Sequence, residues 1–424
     1  MPARDLDVVV FGASSVTGRR VAAYLAERAP EAGAAWAAAG RDPAKIERVL
    51  AEEGAAAPET IAADVGDPES LAALAARAKV VLNLVGPYTL HGRPVIDACV
   101  AGGASYVDLT GEIPFVRRVI AEVDAAAGKA GVKVVQVCGF EALPPDLAVQ
   151  LAAEAAADRF GEALADVDLL VSTDALPMPP RPSDMVSGGT LQSVAAAASD
   201  EDAAVISDPA CLVDDPALAT AIRRASPLSV VPRRGPGGVV VAPIAPAGFI
   251  NPPVIQRSHA LRVAATNGSP EPAAFRYREG IAIDGPAFTL PLRFAAAGML
   301  SAPQLGFLRL AEASPGVRQR IGAGLERILP SSGFGPATDR IERWRWRMSL
   351  VAKTSGGHEL SVEVRGKGHP GYLTTARVLG EAGLLLAEQG ATPKGSGCLT
   401  PAAAIGTAEI DRFARAGLEF ELAG

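Results

Sequence analysis
The sequence predicts an α/β chain: an N-terminal Rossmann-type, doubly wound parallel sheet, followed by a second α+β domain built on a mixed or antiparallel sheet. Three features predict it. The apolar run Val8-Val9-Val10-Phe11 turns through Gly12-Ala13-Ser14-Ser15-Val16-Thr17-Gly18 into a helical stretch, apolar runs then alternate with helical stretches to about Val137, and residues 344–366 alternate in and out. The division this implies is a nucleotide-binding domain at 1–145, completed by 371–424, and a substrate and dimerisation domain at 146–370.

The first turn has the chemistry of a phosphate cradle. A helix N-terminus carries unpaired amides and partial positive charge, and small residues let a pyrophosphate approach them. Gly12 supplies the tight turn and Gly18 lets helix and strand pack closely, while Ser15 takes the place of a middle glycine and offers a hydroxyl to phosphate. Taken alone, such a turn also fits an ordinary strand-to-helix connection. The rest of the domain supplies the context: a helix from Gly18 to about Ala29, a strand at Ala34–Ala39, a helix from Pro43, a strand at Thr60–Ala63 and a helix at Pro68–Ala78. A strand at Val80–Val85 follows, its nearly continuous apolar character suiting a parallel strand buried on both faces. A helix at Pro94–Ala101, a strand at Tyr106–Asp108, a helix from Pro114 and a strand at Val132–Val137 complete the series.

In such sheets the ligand lies across the carboxyl ends of the strands. The second strand ends in Gly40-Arg41 rather than in an acidic residue, and a guanidinium suits a 2′-phosphate, which points to NADP. An arginine on a surface turn beside Asp42 is the plain alternative. The predicted cofactor-binding set is therefore Gly12, Ser14, Ser15, Val16, Thr17 and Gly18 at the pyrophosphate and Arg41 at the 2′-phosphate, with Asp64 near the adenine. Asn83, Val85, Gly86, Pro87 and Tyr88 complete it near the nicotinamide ribose. For Tyr88, a packed aromatic side chain is the alternative.

Bulk properties narrow the class. A net charge of −7 argues against a nucleic-acid partner. The dispersed cysteines Cys99, Cys138, Cys211 and Cys398 form neither a disulfide framework nor a zinc pattern, so no metal is expected and a reducing cytoplasm is the expected setting. The N-terminus lacks the pattern of a secretory leader. Residues 235–256 are uncharged, but Pro236, Pro243, Pro246, Pro252 and Pro253 interrupt them and exclude a continuous spanning helix. With Phe288–Leu300, that stretch is expected to line an acyl groove, touch the inner face of a membrane, or serve as core or dimer interface.

In the second domain a helix from Asp146 to about Ala157 leads into a strand at Val167–Ser172 and a proline-rich loop, Pro177–Pro182. Ser187-Gly188-Gly189-Thr190 then opens a helix whose N-terminus could receive a substrate carbonyl or carboxylate. Trp344, Trp346, Met348 and Leu350 share one face of a hairpin that turns at Ser355-Gly356-Gly357 into Leu360–Val364. From Gly371 the chain is helical again, with one apolar stripe through Thr375, Val378, Leu379, Ala382 and Leu386.

The first turn, Ala39-Gly40-Arg41, Asn83–Tyr88 and Tyr106–Glu112 together resemble the saccharopine dehydrogenase-like oxidoreductases, and within them the bacterial trans-acting enoyl reductases. Cys138-Gly139-Phe140-Glu141-Ala142-Leu143-Pro144-Pro145-Asp146, Ser187–Thr190 and Gly397-Cys398-Leu399-Thr400-Pro401-Ala402 extend the resemblance over nearly the whole chain. Ser15 departs from the family's middle glycine, Glu141 stands where it usually has aspartate, and Ala142 and Pro145 replace serines. The resemblance implies NADPH as cofactor and reduction of polyketide- or lipid-type acyl chains carried by a separate synthase. The saccharopine branch implies C=N chemistry on amino acids or imines instead, and a non-catalytic NADP-binding, lipid-associated protein is a third reading. Hydride transfer requires alignment and a proton source. The candidates are Tyr88 first, then His91 and Glu141, the last if burial keeps its carboxyl protonated.

Overall fold
The computed structural model describes residues 4–179, 181, 200–243, 247–265, 274–328 and 338–424. Strands β1 (Leu6–Phe11), β2 (Trp36–Gly40), β3 (Thr60–Ala62), β4 (Ala78–Asn83), β5 (Ser105–Asp108) and β6 (Lys133–Val135) alternate with helices α1 (Gly18–Ala32), α2 (Pro43–Glu52), α3 (Pro68–Arg77), α4 (Tyr88–Gly102) and α5 (Ile113–Ala130). Val8, Val9 and Val10 are fully buried, as are Val80, Val81 and Leu82 beside them in parallel register. Helices cover both faces of such a sheet, so the central strands are buried along most of their length, with Asp7 and Lys79 at their starts still reaching water.

The helix expected at Pro94 begins earlier, at Tyr88. Its first turn is capped from a distance: the buried Glu112 carboxylate accepts hydrogen bonds from the Tyr88 amide at 3.1 Å and the Thr89 amide at 2.7 Å. A carboxylate there satisfies orphan donors and opposes the positive end of the helix dipole.

Helix α6 (Leu143–Phe160) starts with Pro144 and Pro145 in its first turn, where the missing amides cost nothing, and buries nearly every face. Its alanines lie in one hydrophobic cluster with Val8 and Val10 of the first sheet and Trp346 and Leu350 of the second, so it forms the layer between them. The second sheet contains β7 (Leu164–Ala175), β8 (Arg233–Arg234), β9 (Val240–Ala242), β10 (Arg276–Ile283), β11 (Arg345–Thr354) and β12 (Glu359–Lys367). β7 and β10 run parallel, whereas β7–β11 and β11–β12 are antiparallel. The hairpin forms as expected, with Trp346, Met348 and Leu350 buried on one face.

Between these strands lie α7 (Pro216–Ala225), α8 (Ala247–Ala265), α9 (Leu290–Ala311), α10 (Pro315–Ile328) and the short α11 (Thr338–Ile341). The stretch 235–256 divides between β9 and α8, and α8 carries Pro252 and Pro253 within it. Among the described residues no helix is long and apolar enough to cross a membrane. A π-turn, Pro370–Thr374, leads into α12 (Thr375–Ala387), which packs on α1 and β4. Its buried Glu381 accepts from the Tyr24 hydroxyl at 2.7 Å and pairs with Arg412 at 3.0 Å. β13 (Gly397–Leu399) adds to β6 in parallel, α13 (Pro401–Ile405) follows, and β14 (Leu418–Ala423) pairs with β12. The first sheet therefore has the order β13-β6-β5-β4-β1-β2-β3 and the second β14-β12-β11-β7-β10-β9-β8.

Candidate active site
The turn after β1 is held from within. Gly12 adopts φ +87°, a conformation that favours glycine, and its amide donates to the Ala39 carbonyl at 2.9 Å. The Ser15 hydroxyl oxygen accepts the Gly18 amide at 2.9 Å, which leaves the Ser15 proton to donate elsewhere. A Cβ on Gly18 would lie 2.2 Å from the Gly12 carbonyl oxygen, and one on Gly12 would lie 2.9 Å from Cγ2 of Val85. Among the described residues the amides of Ser14, Val16 and Thr17 donate to no protein acceptor. A narrow cradle with free amides at the start of a long helix fits a pyrophosphate.

At the end of β2 the Arg41 side chain is 81% exposed, with its Nε 3.9 Å from the Asp64 carboxylate. The turn itself is capped by Asp42, whose Oδ1 accepts the Lys45 amide at 3.0 Å, so Arg41 is not needed to cap it. Asp64 also accepts the Gly66 amide at 2.8 Å. Arg41 thus stands at the adjoining ends of β2 and β3 with its guanidinium open to an incoming anion.

Under the ends of β4 and β5 lies a buried polar ladder. Asn83 donates to the Tyr106 hydroxyl at 3.0 Å and accepts the Val85 amide at 3.0 Å, and Tyr106 donates to Asp108 at 2.9 Å. Asp108 also accepts the Thr110 amide at 3.0 Å and the Val137 amide at 3.2 Å. Burial pushes the Asp108 carboxyl up to about 7 against the pull of these donors. Tyr88 is buried too, and its hydroxyl donates to the Asn83 carbonyl at 3.1 Å. The Asn83 and Tyr88 side chains are therefore committed inside the protein. What they shape is the segment 84–87, whose Val85 packs over Gly12.

The turn after β6 carries the one positive-φ non-glycine residue among the described residues. Val137 has φ +60°, strained for a β-branched residue, and Asp108 holds it there through the Val137 amide and, by its own carbonyl, the Cys138 amide at 2.8 Å. The Phe140 amide donates to the Thr375 hydroxyl at 3.1 Å, and the Phe140 ring meets Trp346 edge-on at 4.7 Å. Glu141 is thereby set where the first sheet, the hairpin and α12 converge. It is half-buried, burial raises its pKa, and among the described residues no cation pairs with it. His91 is half-buried in the first turn of α4.

Glu112 and Asp108 shape the site, yet the sequence reading assigned neither a role. Their signal was the spacing Asp108-x-Thr110-x-Glu112, directly after a strand, where side-chain-to-amide bonds fold the chain back. Ser187-Gly188-Gly189-Thr190 lies outside the described residues, as do Pro180 and Pro182 of the proline-rich loop.

A family model for the saccharopine dehydrogenase NADP binding domain matches residues 8–135. A protein of Mycobacterium tuberculosis named provisionally as a trans-acting enoyl reductase is 32% identical over 99% of this chain and 97% of its own. A trans-acting enoyl reductase of Mycobacterium ulcerans is 32% identical over 98% of this chain and 97% of its own. Among solved structures, the apo L-Glu-forming saccharopine dehydrogenase of Saccharomyces cerevisiae aligns over 98% of this chain and 99% of its own, with 16% identity and a TM-score of 0.49. The chain belongs to the trans-acting enoyl reductases of the saccharopine dehydrogenase-like family and is an NADP(H)-binding oxidoreductase.

Proposed function
We propose that this enzyme reduces the C=C bond of an enoyl group in a polyketide- or lipid-type acyl substrate, with Glu141 as the proton donor. Bound NADPH supplies a hydride to the β-carbon of the enoyl group. The chain's own residues must hold the acceptor in line, exclude water and deliver a proton to the α-carbon. Glu141 carries the reading: a carboxyl whose pKa burial raises, favouring its acid form, with no cation paired to it among the described residues, on a turn held by Asp108 and Thr375. Tyr88 takes a structural role in this scheme, because its hydroxyl is spent on Asn83. His91 is the second donor candidate. Near-full-length identity to proteins named as enoyl reductases supports C=C over C=N chemistry. So does Arg233: holding an amino-dicarboxylate would need basic groups, and this one is forked onto Asp168 at 2.6 and 2.7 Å.

The same reading has a cytoplasmic homodimer act on a chain presented by a synthase or its carrier. Exposed Phe288, Leu292 and Met299 on and beside α9 supply apolar surface for the chain or for peripheral contact with the inner face of the membrane. The test is consumption of NADPH against a panel of enoyl thioesters and cyclic imines. Turnover with an enoyl thioester is the expected result; turnover with imines alone would overturn the reading.

Two substitutions probe the assignments. Arg41→Ala is expected to weaken NADPH by about tenfold or more, since a charge-assisted pair contributes roughly 1.5–3 kcal/mol, and to leave NADH nearly unchanged. Equal losses for both nucleotides in a titration would remove Arg41 from the 2′-phosphate. Tyr88→Phe is expected to keep kcat within about threefold while costing about 1 kcal/mol of stability from the lost bond to Asn83. A large fall in kcat with an unchanged denaturation midpoint would return Tyr88 to the chemistry.

A further inference from the structure
A second carboxyl lies near the candidate site, and neither the fold nor the proposed chemistry has used it. Glu279, on β10, stands in one row with Leu169 of β7 and, through it, Leu350 of β11. Side chains of such a row point to one face of the sheet, and this is the face on which Trp346 meets the Phe140 ring. The row between them holds Ile281, Val171 and Met348. Ile281 and Val171 are only half-buried, so an apolar floor with open positions runs across the sheet between Glu279 and the turn that carries Glu141.

Helix α8 ties the two carboxyls together by a second route. Leu109, after β5, packs on the turn Gly139–Glu141, and a Cβ on Gly111, two residues on, would lie 2.7 Å from Cδ1 of Ile250 in α8. The next residue, the buried Asn251, donates from Nδ2 to Oε2 of Glu279 at 2.8 Å. The Tyr277 hydroxyl donates to the same oxygen at 2.6 Å. Oε1 has no partner among the described residues, and it is not sealed: Glu279 is half-buried, whereas the unpaired oxygens of Asn251 and Gln256 are enclosed by protein.

A carboxyl with one oxygen fixed and the other reachable is an acceptor held ready for a donor. Burial raises its pKa against the pull of Tyr277 and Asn251, and a third donor, at Oε1, adds to that pull. Bonds to a charged acceptor are stronger than neutral ones and fix the orientation of the group that makes them.

We infer that Glu279 is a substrate-binding residue of this site, accepting at Oε1 a hydrogen bond from an N–H or O–H of the acyl substrate while Tyr277 and Asn251 hold Oε2; this rests on the enzyme being an enoyl reductase. Two parts of a thioester substrate carry such a donor: the amide of the arm beyond sulfur, and a hydroxyl on the acyl chain.

The test is NADPH-dependent turnover by the full chain and its Glu279→Gln variant on three enoyl thioesters. The first has an N-acetylcysteamine arm, which bears an amide N–H. The second has an oxygen in place of that N–H, and the third adds a hydroxyl to the acyl chain of the second. In Glu279→Gln the amide oxygen takes the place of Oε2 under Tyr277 and Asn251, so an NH2 donor faces the substrate where an acceptor stood. The ratio kcat/KM is expected to fall about tenfold or more on the first or the third and to stay within twofold on the second. A fall on the first assigns the arm amide, and a fall on the third assigns the chain hydroxyl. An equal fall on all three overturns the inference, since it marks a structural role, and so does a change under twofold on all three. If the unsubstituted chain reduces none of them, the enoyl reading fails and takes the inference with it, a pattern that loss of the Glu279 contact alone does not produce.

Discussion
Gly18→Val is expected to abolish NADPH binding. The reason is local and severe: even the first carbon of a side chain at this position would sit 2.2 Å from the Gly12 carbonyl oxygen and 2.7 Å from the Ser15 hydroxyl oxygen. The first is backbone, and the second is the end of a short side chain held by its bond to Gly18. The Gly12 carbonyl belongs to a residue at φ +87° whose amide is fixed by Ala39, and Ser15 is the acceptor that caps Gly18 itself. A valine must push the start of α1 away from β1, which breaks the Ser15 bond and scatters the free amides of Ser14, Val16 and Thr17. Binding is measured best as ligand-induced stabilisation: at a hundred times its Kd a ligand adds about 2.7 kcal/mol to the original chain. Gly18→Val should gain nothing at the same concentration, and Gly18→Ala should already lose most of it. A valine variant that folds and is stabilised by NADPH as the original is would show that the cofactor lies elsewhere.

That prediction could be made from the sequence because the turn's chemistry is local. Gly12 and Gly18 are needed by their own backbone neighbours, and the strand and helix around them are marked by an unbroken apolar run and a helical stripe. The hairpin at 345–367 was legible for the same reason, its alternation reporting one buried and one wet face. Tyr88 and Asn83 were harder. Both stand at a strand end, where ligand contacts are expected, yet the Tyr106–Asp108 ladder and the Asn83 carbonyl draw their polar groups inward. The partners that decide this are remote in sequence. The same holds for the start of α4, fixed by a carboxylate on the far side of β5, and for Glu279, held by Asn251 of α8.

Glu141→Gln should lower kcat by about a hundredfold or more, the usual loss when a positioned general acid is removed, while leaving the Kd for NADPH unchanged. Glutamine keeps the size and hydrogen-bonding reach of the side chain and cannot release a proton. The pH profile sharpens the test. Burial raises the Glu141 pKa, so the acid form persists above the ordinary carboxylate range and is lost as pH rises through the raised value. The rate of the original chain should fall along that limb; Glu141→Gln should have a low rate without it, and Glu141→Asp should keep the limb at reduced height. Stability runs in the informative direction as well. A carboxyl whose folded pKa is raised contributes stability that is fully present below the unfolded pKa and lost as pH rises through the folded one. Neutral glutamine escapes that loss, so above the folded pKa the variant should be at least as stable as the original chain. An inactive, stable, NADPH-binding enzyme would leave proton delivery as the missing step, whereas a variant within threefold of the original kcat, or one that kept the same pH limb, would take Glu141 out of the reaction.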